Sequence, residues 1–296
     1  MNNTMKYISI FTLFLWLNSQ AWGQTTLQVL TKSIDKTVAF KVGQELEIIG
    51  EKAEVEVAPG SGSEIKIHAE LSTKHPDGSL ARKELDHWKF VVSTVGKKTF
   101  VRAYIGLKAG QSTPSSNFKA KIVVQVPREC PVTLHNKLGK ARLENLRGPI
   151  ALTGEFCQFQ LSNLGGDIWL DSKYGSVEGK NLSGKIAIKT NRADVTLSEL
   201  KADCSVQSTY GVITLETQSE SGNIAVTGDK SEVRLTLRQD PLHNIHLKSS
   251  YGELNAPQEF SSFSPAENIR QANRNKGEQR PFVSIETTFG KISVQE

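Results

Sequence analysis

The feature that most constrains this chain is a self-similarity at a spacing of 18 residues. Leu146, Leu164, Leu182 and Leu200 form one column, followed two residues later by Gly148, Gly166, Gly184 and Ala202. Next come Ile150, Ile168, Ile186 and Cys204, and then Leu152, Leu170, Ile188 and Val206. Within the same unit run Ala141, Phe159, Val177, Val195 and Ile213, then Leu143, Leu161, Gly179, Leu197 and Leu215. A short fixed period is the mark of a solenoid, in which each turn buries its apolar side only by stacking on its neighbours. The repeat predicts an all-β, parallel β-solenoid of roughly eight regular rungs, a stack of about 38 Å at the usual strand spacing.

Alternation of apolar and polar residues supports strands throughout, as in Leu46-Glu47-Ile48, Val55-Glu56-Val57, Ile65-Lys66-Ile67 and Ile122-Val123-Val124. In one unit the alternation places Val177, Ile186 and Ile188 inside and Ser176, Glu178 and Ala187 outside. Leu80 to His87 is the one stretch that predicts a helical turn. The chain divides into a leader at 1–23, a less regular β lead-in region at 24–130, and the solenoid repeats at 131–296. A polar insertion at 256–281, with Pro257, Pro265 and Pro281, interrupts the repeats and predicts a solvated loop that leaves from a turn.

The leader has the composition of a secretory signal: Lys6, an apolar run from Ile8 to Leu17, and Ala21-Trp22-Gly23 as a small-x-small cleavage site. That run of about ten residues is too short to span a bilayer, which takes about 20. The expectation is an exported mature chain without a membrane span, located in the periplasm, at the cell surface or outside the cell. Residues 1–23 hold Lys6 as their only charge, so 35 basic residues face 31 acidic ones in the remainder. This mild, interspersed excess reads as a mixed solvated surface, or as a weak attraction to anionic lipid, lipopolysaccharide or polysaccharide. Motifs that interleave basic and aromatic residues for nucleic acid are absent. Cys130, Cys157 and Cys204 fall in different columns on rungs that are not adjacent, which predicts free thiols, and no CxxC pair points to redox chemistry or zinc.

The phrase Tyr/Phe-Gly-x-apolar recurs as Tyr174-Gly175-Ser176-Val177, Tyr210-Gly211-Val212-Ile213, Tyr251-Gly252-Glu253-Leu254 and Phe289-Gly290-Lys291-Ile292. With the lead-in Val124-Gln125-Val126-Pro127-Arg128, it resembles the bacterial putative-adhesin domain family, secreted β-solenoids of unknown function. The resemblance covers roughly residues 25–296, and most closely 120–296. It implies a fold and a secreted adhesin-like role, and it offers no catalytic residues to transfer.

Candidate contact residues are few. Phe156, Tyr174, Tyr210, Tyr251 and Phe289, interrupted by Arg192, form a column at the start of the units. Such a column serves either as a platform for sugar rings or as rung-to-rung stacking that stabilises a turn. Ser172, Thr190, Ser208, Ser249 and Thr287 form a second column, expected as a hydrogen-bonded turn ladder. Trp169 points outward in a column otherwise made of Ala151, Ala187, Ser205 and Ala225, which marks a face on which something packs, with residues 80–117 as the expected cover. Asp167, Asp171, Asp194 and Asp203 occupy different columns, so the paired carboxylates of a polysaccharide-cleaving β-helix are not evident. His243 and His246 flank Ile245 without a nearby acid or Cys, and no cofactor or metal is expected. The sequence therefore favours a non-enzymatic protein with an unidentified glycan, envelope component or protein as its partner, with a polysaccharide-processing enzyme or a periplasmic structural or sensing component as alternatives.

Overall fold

A computed structural model describes residues 26–217, 220–238 and 242–295; the leader at 1–23 lies outside them. Each regular rung consists of two strands meeting at a bend. In the segment Ile168–Ser198 the hydrogen bonding to neighbouring rungs runs through the bends almost without a break. Both bends of a rung use a residue in the left-handed region. Leu138, Phe156, Tyr174, Arg192, Tyr210, Lys230, Tyr251 and Phe289 hold φ of 50° to 57° at the first bend, and Asn145, Asn163, Asn181 and Glu199 hold 50° to 59° at the second. This conformation costs an L-residue about 1–2 kcal/mol, and the rungs above and below hold it in place.

The residue after the first bend must be small. A Cβ on Gly175 would collide with the carbonyl of Cys157 one rung below, and one on Gly290 with the carbonyl of Ser231. The Tyr/Phe-Gly phrase is thus a bend followed by a close approach of two backbones. On either side of it the strands alternate as their composition requires. Ile168, Leu170, Val177, Ile186 and Ile188 are buried, while Glu178 and Ala187 face out. At about 25 cal/mol per Å² of apolar surface removed from water, these inward columns are the main stabilising term.

The eight units expected from residue 132 onward are present at 132–144, 150–164, 168–182, 183–198, 201–217, 224–237, 244–255 and 282–295. They do not stack in chain order. Phe282–Thr288 pairs in parallel with Ile224–Asp229 on one side and with Asn244–Ser250 on the other, so the last rung is inserted between two earlier ones. The opposite end repeats the manoeuvre. Glu45–Glu51 lies between Lys98–Ile105 and Val132–Glu144, and Ala53–Pro59 between Asn117–Val126 and Val132–Glu144. The lead-in region therefore adds two layers to the stack in the same register.

Antiparallel strands close both ends. Glu64–His75 pairs with Asn117–Val126 and carries Gln28–Ala39 outside it, and Trp88–Val95 covers Lys98–Ile105. At the far end the expected loop at 256–281 is instead a hairpin. Ser261–Ala266 pairs with Ile269–Arg274, which in turn pairs antiparallel with Asn244–Ser250. The terminal rung would otherwise leave a row of unpaired backbone groups, and the hairpin satisfies them. Arg274 anchors it: its guanidinium is buried, donates to Glu259 Oε1 at 2.8 Å and lies over the Phe260 ring at 5.6 Å. The predicted helical turn is a helix at Gly78–Leu85, started by Asp77, whose carboxylate accepts the N–H groups of Ser79 and Leu80.

Candidate functional site

The first-bend column forms an exposed rail along one corner of the stack. The rings of Phe156 and Tyr174 are stacked, with centroids 4.7 Å apart and planes 8° from parallel. The Arg192 guanidinium follows, 5.8 Å from the Tyr174 centroid and 5.3 Å from that of Tyr210. Lys230 lies 5.0 Å from the Tyr210 centroid on the next layer, and Phe289 stacks on Tyr251 at 5.2 Å. Arg192 donates to the Tyr174 hydroxyl at 3.3 Å and Lys230 to that of Tyr210 at 3.0 Å. Arg192 thus continues the aromatic column as a flat cation between two rings. Because the faces of Phe156 and Tyr174 are turned to each other, the rail shows ring edges to solvent where a sugar platform needs faces.

Trp169 is placed differently. It is 47 % exposed, in the middle of a strand face, with Ala151 one rung away in register. It lines an open depression of about 440 Å³ together with Pro131, Pro149 and Ala187, and with Glu45, Thr133, Asp167 and Lys185 as polar neighbours. Residues 80–117 do not cover it. Their strands extend the sheet at its end, where Trp88–Val95 pairs with Lys98–Ile105. Trp169 and the rail tyrosines Tyr174, Tyr210 and Tyr251 consequently belong to two separate surfaces, one on a strand face and one at a corner.

The hydroxyl column is buried and hydrogen-bonded at some rungs only: Ser208 Oγ accepts from Ser231 Oγ at 3.3 Å, and Thr287 Oγ1 donates to the Gly290 carbonyl at 3.5 Å. Ser249 Oγ donates to the Gly290 carbonyl at 3.0 Å, whereas the hydroxyls of Ser172 and Thr190 have no hydrogen-bond partner among the described residues. Their short side chains fill space beneath the bend. His243 and His246 separate because alternation turns them to opposite sides. His243 is buried with Nε2 3.0 Å from the Ser221 carbonyl, and His246 Nδ1 lies 2.7 Å from Asn273 Oδ1. Asp194 and Asp203 are engaged with the backbone of the following rung, accepting the N–H groups of Val212 and Asn223 at 2.9 Å each. Among the described residues no three His, Cys, Asp or Glu side chains gather as a metal site would require. No helix of the described residues is long and apolar enough to cross a membrane.

Cys130, Cys157 and Cys204 are buried free thiols, and burial pushes them up to about 12, 11 and 12. Neutral and inaccessible, they are poor nucleophiles. A further ladder, of asparagines, is absent from the columns read from the sequence. The amide of Asn163 donates to Asn145 Oδ1 at 3.2 Å and that of Asn181 to Asn163 Oδ1 at 2.8 Å, at the second bends. Its sequence signal was present as Asn at 18-residue spacing, each directly before a column Leu.

Among curated proteins none matches the chain in sequence. A crystal structure described as a putative adhesin from Bacteroides fragilis is 11 % identical, covers 89 % of this chain and 97 % of its own, and has a TM-score of 0.43. One described as a putative lipid binding protein from Parabacteroides distasonis is 12 % identical, covering 89 % and 97 %, with a TM-score of 0.40. A putative cell adhesion protein from Clostridium sporogenes is 12 % identical, covering 90 % and 99 %, with a TM-score of 0.28. A family model, by contrast, matches residues 43–295, the solenoid with its inserted rungs and all but the outermost cap strand, and by that match the chain belongs to the Toastrack DUF4097 family.

Proposed function

We propose that this chain is an exported, adhesin-like protein that acts by surface contact and not by catalysis, and that Trp169 is the centre of the contact. The observation that carries the proposal is the open indole: a large apolar group, 47 % exposed, on a rigid strand face whose neighbouring positions are small. An aromatic anchor surrounded by polar groups is the usual make-up of an energetic hot spot. The indole offers a flat face, and Thr133, Asp167 and Lys185 offer hydrogen bonds at its edge, which suits a sugar ring of an envelope or matrix glycan. Export rests on the leader pattern at 1–23, and the adhesin-like role on what the family resemblance carried by the Tyr/Phe-Gly repeat implies.

The test is attachment of purified residues 24–296 to whole cells and to immobilised envelope glycans. Trp169→Ala is expected to weaken attachment at least tenfold with an unchanged circular dichroism spectrum, and Tyr210→Ala to have little effect on attachment. Depolymerisation of a polysaccharide, abolished by a single Asp or His substitution, would overturn the non-enzymatic assignment.

A further inference from the structure

A second depression, of about 590 Å³, lies at the amino-terminal end of the rail and is lined by other residues than the Trp169 depression. Lys52, Lys74, Lys119 and Lys140 line it, with Glu54 as the only acidic lining residue. They come from different parts of the chain. Lys52 is a left-handed bend residue, and Lys74, Lys119 and Lys140 sit on the strands Glu64–His75, Asn117–Val126 and Val132–Glu144. Lys119 is paired with Glu54 at 2.9 Å, while Lys52, Lys74 and Lys140 have no ion-pair partner among the described residues.

Some lysines elsewhere pair with carboxylates across rungs, as in Lys137 with Glu155 at 3.0 Å and Lys180 with Glu199 at 3.2 Å, whereas here four lysines share one carboxylate. Cations gathered without counter-charges repel one another, and a bound anion removes that cost. Apolar groups share the depression. Val29, Leu138 and Phe156 line it and are 57 %, 53 % and 51 % exposed.

We propose that this depression receives the phosphate-bearing headgroup of an anionic lipid, with Val29, Leu138 and Phe156 resting against the apolar boundary of the membrane. Lysines without arginine suit a phosphate met as a compact charge in no fixed orientation. Half-exposed apolar side chains beside a basic cluster are the composition of a peripheral membrane contact, in which buried apolar area and attraction to anionic lipid add. An anionic polysaccharide would satisfy the lysines and leave the three apolar groups without a partner. The proposal is independent of the Trp169 contact, since the two depressions share no lining residue.

The experiment is vesicle flotation with purified residues 24–296, using phosphatidylcholine alone or in equal parts with phosphatidylglycerol. Binding is expected only to the anionic vesicles. The variant Lys52→Gln/Lys74→Gln/Lys140→Gln should bind on the order of 100-fold more weakly at low salt. Lys189→Gln/Lys201→Gln/Lys248→Gln, which removes the same charge elsewhere, should stay within a few-fold of the parent. Leu138→Asn, which suits the left-handed bend, should weaken binding several-fold at unchanged charge. Single Lys74→Gln and Lys140→Gln variants, both at exposed positions, give the same direction if the triple variant fails to fold. Equal losses in the two triple variants would overturn the site in favour of net charge alone. Displacement from vesicles by a soluble anionic polysaccharide, with Leu138→Asn behaving as the parent, would overturn the lipid assignment.

Discussion

The ring of Phe156 lies 4.7 Å from that of Tyr174 one rung along, and both residues hold a left-handed backbone at φ of 54° and 56°. Side chain and bend are therefore coupled: stacking offsets the strain of the backbone that positions it. Tyr174→Gly removes the stack and relieves the strain, two effects of about 1 kcal/mol each that nearly cancel. Tyr174→Val removes the stack and puts a β-branched residue in a region such residues avoid, so it should cost about 2–3 kcal/mol. Thermal midpoints of the two variants check this. If Val is no worse than Gly, the column is a stack without a conformational role.

The inward and outward assignment of a rung is tested by two adjacent residues. Ile186 is buried and Ala187 is exposed. Ile186→Asp places a carboxylate among Leu and Ile side chains with no partner and should cost at least about 3 kcal/mol. Ala187→Asp should cost no more than about 0.5 kcal/mol. Chemical denaturation of both variants supplies the comparison, and equal midpoints would shift the register by one residue.

These two residues also show what the sequence could and could not reveal. Alternation and period state which side chains face inward, and on that basis Ile186, Val177 and the Leu146 column were legible. They do not state which rung neighbours which, because every rung presents the same apolar interior. The insertion of 282–295 between 224–237 and 244–255 left no trace in the pattern for this reason. Lys230 was hidden as a rail member by a spacing of 20 residues from Tyr210 in place of 18. That Trp169 lacks the expected cover is not legible either, because residues 80–117 carry strand character without any sign of whether they cover the sheet or extend it.

The three thiols make labelling a probe of unfolding. With burial pushing Cys130 and Cys204 up to about 12 and Cys157 to about 11, thiolate is scarce at neutral pH and reagents are excluded. Reaction with a thiol reagent at pH 8 should be slow in buffer and should yield three equivalents in denaturant. Reductant should leave the melting temperature unchanged. Fast reaction of a single equivalent in buffer would show that one cysteine is accessible in the folded chain.

Glu84 gives the fold a dependence on pH. Burial pushes its carboxyl up, but the backbone N–H groups of Ser116 and Ser115, donating at 2.7 and 3.1 Å, outweigh burial and hold it below the usual range. A carboxylate lowered on folding stabilises at pH above its unfolded value, about 4.3, and loses that contribution as pH falls through its folded value. Glu84→Gln should therefore cost about 2 kcal/mol at pH 7. The gap between the melting temperatures of parent and variant should narrow below about pH 4. A gap that stays constant from pH 7 to pH 3 would show that Glu84 acts through packing alone.

The hairpin at Ser261–Ala266 and Ile269–Arg274 is the part of the chain whose assigned role differs most from its composition. It is polar and largely exposed, and a solvated loop of this kind is removable at little cost. As an end cap it is not, because Ile269–Arg274 pairs with Asn244–Ser250 over six residue pairs and closes the stack there. Replacing 256–281 by a short Gly-Ser linker should leave the remaining rungs folded and expose the Asn244–Ser250 edge to other molecules. A second truncated chain would then supply the missing strand, so light scattering should show association that rises with concentration. Arg274→Ala should produce a weaker version of the same effect, since it removes the charge held by Glu259 and stacked on Phe260. A truncated chain that stays monomeric at every concentration would return the segment to the status of an ordinary loop.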